Sequence, residues 1–279
     1  MPELIKPMLA AAGPLPAGPS WVFEFKYDGV RAVAYAEAGE VRLFSRNGNE
    51  ITASYPEVEE LVPLLAGRDA VLDGEIVALE DGDRPSFARL QQRMHNFRPG
   101  AALLAAHPVW YYPFDLLALD GAPTVELPYE QRRAALSELN LNGDSVRTPE
   151  TFTGADGETV LQAAEQAGME GVVAKRLGSP YRPGRRSSDW TKVPLIRTQE
   201  VIVVGSKPGS GRRIGTIGSL LLAVFDEHDR LAFAGHVGTG FTDAALRTLA
   251  GQLGPLTRTT APVPDVPREH ARLARWVEP

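Results

Sequence analysis

The alternation of apolar and polar positions is sharpest at Trp21 to Lys26, which reads W-V-F-E-F-K. A period of two predicts a β-strand with Trp21, Phe23 and Phe25 on one face and Glu24 and Lys26 on the other. The aromatic face belongs against a core. The other face aims a carboxylate and an ammonium, two residues apart, in one direction. Asp28-Gly29 then predicts a turn. On Glu24 and Lys26 alone, an ordinary edge strand with its charges in water explains the pattern equally well.

Residues 33–36 and 40–45 predict a hairpin across Gly39, ending in a Ser45-Arg46-Asn47-Gly48 turn that presents one arginine. A short helical pattern follows at 55–65, then a strand at 70–79, in which Asp73 reads as a turn-former. Ser86 is a candidate N-cap for a helix running through Leu90 and Met94. An aromatic strand follows at 109–117. Two helices are predicted next. One at 129–139 turns Ala135, Leu136 and Leu139 inward. The other, at 157–167, turns Val160, Ala163, Ala164 and Ala167 inward and stops at Gly168. In the strand 170–175, parity would point Glu170 and Lys175 opposite ways, so Glu170 is placed in the turn between Gly168 and Gly171. Residues 181–188 form a basic Gly/Pro/Ser loop, and Trp190-Thr191-Lys192 follows.

After Thr198 helices nearly vanish. Strands are predicted at 200–207, 219–226 and 230–237, with Gly-rich segments at 208–218 and 235–240. One helix is capped by Thr242, turns Leu246, Leu249 and Leu253 inward and stops at Gly254. Short strands with one inserted helix suggest a small Greek-key barrel of the OB type. The predicted boundary lies near Arg197, giving domains 1–197 and 198–279. The final Arg275-Trp276-Val277 reads as the beginning of a further strand, so the barrel is expected to be incomplete at its end.

Composition narrows the classes. The 279 residues are 43% hydrophobic and 23% charged, which is ample material for a core. No apolar run is long enough to span a membrane. The first twenty residues carry five prolines and no basic leader, so they do not read as a signal peptide, and a cytoplasmic location is expected. The absence of cysteine excludes disulfides, a thiol nucleophile and a cysteine-zinc site. The five histidines have no metal-ligand spacing. A net charge of −6 argues mildly against a nucleic-acid partner. A local basic groove is compatible with it, and 198–279 carries nine Lys/Arg against eight Asp/Glu. Of the 29 basic residues only Lys6, Lys26, Lys175, Lys192 and Lys207 are lysines. Lysine can shed its proton and attack, whereas arginine effectively cannot.

Seven segments then stand in order: E-F-K-Y-D-G-V-R from Glu24, S-R-N-G from Ser45, V-L-D-G-E from Val71, Y-P-F-D-L-L from Tyr112, E-G-V-V-A-K from Glu170, Y-R-P-G-R-R from Tyr181 and W-T-K from Trp190. The first alone resembles the nucleotidyl-transfer motif of ATP-dependent DNA ligases and mRNA capping enzymes. Together they resemble the ATP-dependent DNA ligases over essentially the whole chain, and among these the ligase modules of bacterial non-homologous end-joining enzymes and their stand-alone relatives. The resemblance implies an α+β fold, a two-layer nucleotidyltransferase (adenylation) domain followed by an OB-type domain. It also implies a three-step reaction through a lysyl-AMP intermediate.

By position Lys26 would be the nucleophile, with Asp28, Lys175 and Lys192 acting around it and Mg²⁺ (or Mn²⁺) as the divalent ion. The cations would help Lys26 lose its proton and would neutralise phosphate charge. Glu24 would accept from the adenine amine. Phe114 and Val173 would sandwich the base beside Phe25, and Arg31 and Glu75 would hold the ribose. Lys175 and Lys192 would also touch the nucleotide. Glu75 and Glu170 would offer oxygen to the metal. Arg46 and Arg185 would grip the 5′-phosphate of a nick, and Arg186, Arg212 and Arg213 the DNA backbone. The implied partners are nicked duplex DNA and Ku-type and polymerase-type end-joining proteins, with the chain monomeric, off the membrane and on the nucleoid when bound.

Two departures from the family pattern stand out. Pro194 occupies the place of a second lysine, for which Arg197 is the candidate substitute. The chain also ends before the family's closing basic motif, so self-adenylylation is expected to be weakened. The alternatives are an RNA ligase or GTP-using capping enzyme on the same fold, and a nick-binding module without efficient transfer.

Overall fold

The computed structural model describes residues 4–80, 84–195 and 198–279. The chain divides into two compact units, 1–196 and 197–279. The strands in chain order are β1 (Leu9–Ala12), β2 (Trp21–Lys26), β3 (Val30–Glu37), β4 (Glu40–Ser45), β5 (Ala70–Ala78), β6 (Val109–Leu119), β7 (Ala122–Pro123), β8 (Phe152–Thr153), β9 (Gly171–Arg176) and β10 (Arg186–Pro194) in the first unit. The second unit holds β11 (Ile202–Pro208), β12 (Ile217–Phe225), β13 (Leu231–Val237), β14 (Thr257–Arg258) and β15 (Arg275–Val277).

The first unit contains two five-stranded sheets, ordered β1-β10-β9-β2-β8 and β4-β3-β5-β6-β7. Val33, Tyr35, Phe44, Val71, Phe114 and Leu117 of the second sheet meet Trp190 of the first, with Met8 and Tyr181, in one buried cluster between the sheets. The outer face of the first sheet packs Phe23, Val172 and Ala174 against Val160 and Ala164 of the helix Gly157–Gln166. The outer face of the second packs Ala32, Ala34, Leu72 and Ile76 against Leu61, Leu90, Leu136 and Leu139. The result is a layered α+β unit in which both sheets are covered on both sides.

Two glycines set the chain's course here. A Cβ on Gly29 would lie 2.2 Å from the Ile76 carbonyl oxygen, so Asp28-Gly29 is a close crossing of β5 more than a tight turn. Gly171 has a φ of +142°, and a Cβ there would lie 2.2 Å from the Val193 carbonyl oxygen. Only glycine lets β9 start against β10, and Glu170 sits just outside the strand as parity required.

Other expectations are revised. β2 is not an edge strand, because β9 and β8 flank it, and Glu24 is only 4% exposed. Asp73 is no turn-former: it lies within β5 and is fully buried. The helix capped by Ser86 ends at Gln91, short of Met94, and a helix at Ala101–Ala106 escaped the pattern. The basic loop is shorter than expected, since β10 begins at Arg186 and Tyr181 is buried. In Tyr129–Glu138 the inward positions include Tyr129 and Arg132, which a search for apolar stripes passes over.

The second unit has one five-stranded sheet, β13-β12-β11-β15-β14. Thr242 caps the helix Asp243–Leu253 by accepting from the Ala245 amide at 3.2 Å, and Leu246 packs on Ile217 and Leu220. β15 is not a free edge: Trp276 pairs with Gly205 of β11 on one side and Arg258 of β14 on the other. Among the described residues no helix is long and apolar enough to cross a membrane.

Arg132 and Asp115, both fully buried, form a two-pronged pair at 2.7 and 2.8 Å. Asp115→Ala strands a guanidinium in the interior, which costs about 3–5 kcal/mol. The expected outcome is a large drop in the urea unfolding midpoint. An unchanged midpoint would contradict this account of the core.

Candidate active site

Strand register decides which side chains share the site. β2 and β9 pair Val22 with Lys175, Glu24 with Val173 and Lys26 with Gly171. β9 and β10 pair Lys175 with Trp190 and Val173 with Lys192. Paired residues point to the same side and alternate along each strand. Glu24, Lys26, Val173, Lys175, Trp190 and Lys192 therefore share the face opposite the helix-covered one. From the other sheet, Arg31 pairs with Glu75 and Val33 with Asp73.

A cavity of about 250 Å³ opens there, lined by Glu24, Phe25, Lys26, Arg31, Arg46, Glu75, Phe114, Val173, Lys175, Arg186 and Lys192. Phe25 reaches this wall while its ring packs on Phe152 at 4.9 Å behind the sheet. Asp28, Glu170 and Arg185 do not line it. Leu9, Ala10, Tyr27, Pro149 and Trp190 also line it. Tyr27 and Trp190 lie inside the quoted motifs E-F-K-Y-D-G-V-R and W-T-K, whereas Leu9, Ala10 and Pro149 carry no charge pattern by which a sequence would single them out.

The Lys26 ammonium is in contact with Glu170 Oε2, and both side chains are partly open to water. The Glu170 amide also donates to the Lys26 carbonyl at 3.1 Å, which ties the start of β9 to the end of β2. Lys26 thus has a carboxylate in contact, while Lys175 and Lys192 line the same cavity. An ammonium held to a carboxylate is not a nucleophile, so this contact must open before Lys26 can react. Asp28 is exposed. Partial burial and then the charge of Glu170 raise its carboxyl above the usual range.

Lys175 lines the same cavity but lies farther along the sheet. Its strand partner is Val22, four residues or roughly 13 Å of strand from Lys26. It is 1% exposed, and its ammonium sits 2.7 Å from Glu24 Oε2, 4.4 Å from the centre of the Phe114 ring and 4.4 Å from that of Trp190. Burial lowers its pKa, and Glu24 opposes that. The other Glu24 oxygen accepts from the Tyr129 hydroxyl. Glu24 therefore meets the cavity with one partner already on each oxygen.

Arg31 donates to both oxygens of Asp73 at 2.6 Å and to the Met8 carbonyl at 3.3 Å. Its guanidinium lies 4.5 Å from the Phe114 ring centre. Tyr181 donates to Asp73 Oδ2 at 2.6 Å. Arg31 is in this way an anchor between strands and N-terminal segment as well as a cavity wall. Burial raises the Glu75 carboxyl to about 7, with Arg31 and Lys26 pulling the other way.

Comparison with known proteins identifies the scaffold. The ATP dependent DNA ligase domain matches residues 7–193, and the ATP dependent DNA ligase C terminal region matches 213–279. The chain belongs to the ATP-dependent DNA ligase family. The multifunctional non-homologous end joining protein LigD of Mycolicibacterium smegmatis is 37% identical over 281 residues, covering 100% of this chain and 35% of that protein. The Pseudomonas aeruginosa protein of the same name is 38% identical, with 33% of its length covered. The chain thus spans about a third of the length of these relatives. The ligase domain of Mycobacterium tuberculosis LigD superposes with a TM-score of 0.60 at 37% identity, over 99% of this chain and 86% of that one. A mycobacterial DNA ligase D complexed with ATP and MES gives 0.63 at 36%, with the same coverage. The α+β fold with a C-terminal OB-type unit is that of this ligase family.

Among the described residues no group of three or more His, Asp or Glu forms a ready metal cage. The donor set still suits an ion such as Mg²⁺, which takes one or two carboxylates and completes its shell with water and phosphate. Glu75 lines the cavity and Glu170 contacts Lys26 at its wall, so these two carboxylates are the ones that could offer such oxygens.

Arg46 is exposed at the cavity wall. Arg186 donates to the Ala10 carbonyl, and Arg185 is exposed on the preceding turn. In the second unit Arg213 donates to the Gly238 carbonyl at 2.6 Å, which pins the Gly-rich segment. The Arg212 side chain and Arg197 lie outside the described residues.

A carboxyl raised in the folded state binds a proton that the unfolded chain has released. Its contribution to stability is fully present below about 4.5 and is lost as pH rises through about 7. Urea unfolding of wild type between pH 4.5 and 7 is expected to show this downward slope, and Glu75→Gln to flatten it. Equal slopes would remove Glu75 as the titrating group.

Proposed function

We propose that the chain is an ATP-dependent DNA ligase module that seals nicks through a lysyl-AMP intermediate. Residues 1–197 act as the adenylation domain and 198–279 as the OB domain. The reading is carried by one observation: Lys26, in the family's K-x-D-G-x-R setting, stands at the wall of a cavity that also holds Glu24, Phe114, Val173 and Lys192.

In the first step Glu170 lets go of Lys26, whose amine loses a proton and attacks the α-phosphorus of ATP. A P–N bond forms, the P–O bond to pyrophosphate breaks, and pyrophosphate leaves. Lys192 lines the cavity without an ion-pair partner among the described residues and is available to a phosphate oxygen. Phe114 and Val173 bracket the base, Glu24 reads its amine, and Glu75 faces the ribose. Glu75 and Glu170, with Asp28 as a further candidate, would hold a divalent ion such as Mg²⁺, which would supply positive charge for the phosphates.

In the second step the 5′-phosphate of a nick attacks the lysyl-AMP phosphorus and releases Lys26. In the third the 3′-hydroxyl attacks the activated phosphate and expels AMP. Arg46, Arg185 and Arg186 receive the DNA phosphates from the first unit, and the Gly-rich segment with Arg212 and Arg213 from the second. The names of the relatives support a role in end joining, and the reading takes nicked or broken duplex DNA as substrate and end-binding and polymerase proteins as partners.

The test is sealing of a nicked duplex with Mg²⁺ and ATP or GTP, by wild type and by Lys26→Ala. Sealing with ATP, lost by at least about a thousandfold in the variant, is expected. A nick already carrying 5′-AMP should be sealed by both, because its chemistry bypasses Lys26. Equal sealing of the plain nick by Lys26→Ala would sink the reading. Sealing with GTP in preference to ATP would move it to the capping class.

A further inference from the structure

Glu24 is a buried carboxylate whose two oxygens are held separately, and one of the holders has no assigned role. Tyr129 is the first residue of the helix Tyr129–Glu138, is 1% exposed, and donates its hydroxyl to Glu24 Oε1. Lys175 holds Oε2 at 2.7 Å. Both are donors, so what Glu24 offers the cavity is acceptor capacity. An ionised carboxylate has about four acceptor sites, and two remain for a ligand.

Tyr129 is itself fixed. One turn along, Arg132 is fully buried and binds both oxygens of Asp115, with further bonds to the carbonyls of Leu127 and Ser179 at 2.6 and 3.0 Å. The Tyr129 ring lies 5.6 Å from the Arg132 guanidinium and 5.1 Å from the Lys175 ammonium. Asp115 follows Phe114 in β6, so the same anchor holds both the acceptor and the ring that flanks the cavity. A free glutamate would sample several rotamers at the end of two methylenes. This one is clamped from two sides.

We propose that Tyr129 is a positioning residue for base selection: by fixing the Glu24 carboxylate it makes the site select a nucleotide whose base edge carries a hydrogen-bond donor. The inference rests on the nucleotide reading of the cavity given above. It adds that discrimination resides in the clamp as much as in Glu24. A carboxylate set free by loss of one donor can swing to follow or avoid a ligand, and its preference for the amine weakens.

The test measures equilibrium binding of ATP and of the purine nucleoside triphosphate lacking the 6-amino group, with a chelator present so that no transfer occurs. Wild type is expected to bind ATP at least about tenfold more tightly, the scale of one hydrogen bond to a charged group. In Tyr129→Phe, which keeps the ring and removes the hydroxyl, that ratio should fall to within about threefold. A ratio unchanged in Tyr129→Phe overturns the positioning role. So does an equal loss of affinity for both nucleotides, which is what a purely structural tyrosine would give. A ratio near one in wild type overturns the base reading of Glu24 itself, and the proposal with it. Thermal melts accompany both proteins. If Tyr129→Phe does not fold, Lys175→Met removes the other clamp, and the same ratio decides.

Discussion

A charge shut away from water in a protein is tolerable only where partners surround it, and the space between the two sheets of the first unit is organised by that requirement. Glu24 is held by Lys175 and Tyr129, Asp115 by Arg132, and Asp73 by Arg31 and Tyr181. Each acid lies on a strand, and each of these partners comes from a different element. Removing one member leaves another exposed to a low dielectric, so the set behaves as a unit. Apolar packing alone, through Val33, Val71, Phe114 and Trp190, would bring the sheets together without fixing the cavity wall. The paired charges fix it, and their cost in desolvation is a reason to connect them with what the cavity binds.

Lys26 stands outside this rigid set. Its partner Glu170 is on the short link that Gly168 and Gly171 permit, and both side chains reach water. Pairs of that kind contribute little to stability and open readily. The site thus combines a stiff floor, which holds the Glu24 carboxylate and an aromatic wall, with a loosely held amine at its mouth. That division suits a reaction in which the lysine must change partners at each step while the nucleotide keeps its place. The link between Lys26 and Glu170 also places a metal-suited carboxylate where the amine would be released.

Much of the framework was legible from local pattern. The strict alternation at Trp21 to Lys26 matches β2, the hairpin across Gly39 matches β3 and β4, and the parity argument placed Glu170 in a turn. Local pattern failed where the deciding contact is distant in sequence. Asp73 looked like a turn residue because Asp-Gly usually is one, but its partners Arg31 and Tyr181 are 42 and 108 positions away. Tyr129 was counted as an ordinary helix start, and its partner is 105 positions away. Lys175 was set beside Lys26 because both are motif lysines. Both line one cavity, but the register pairs Lys175 with Val22 and its ammonium is held by Glu24, which motif order alone does not reveal. In the second unit the strand read at Arg275 is present as β15, while its neighbour Thr257–Arg258 is only two residues long and carries no period of its own.

The claim at the centre of this account is that the partly exposed lysine at the end of β2, and no other lysine, carries the nucleotide. The direct measurement is to incubate the chain with ATP and Mg²⁺, quench in conditions that keep a phosphoramidate, digest it and locate the AMP-bearing residue by mass spectrometry. The account predicts AMP on Lys26 alone. An adduct on Lys175, Lys192 or another lysine, with Lys26 unmodified, would contradict it.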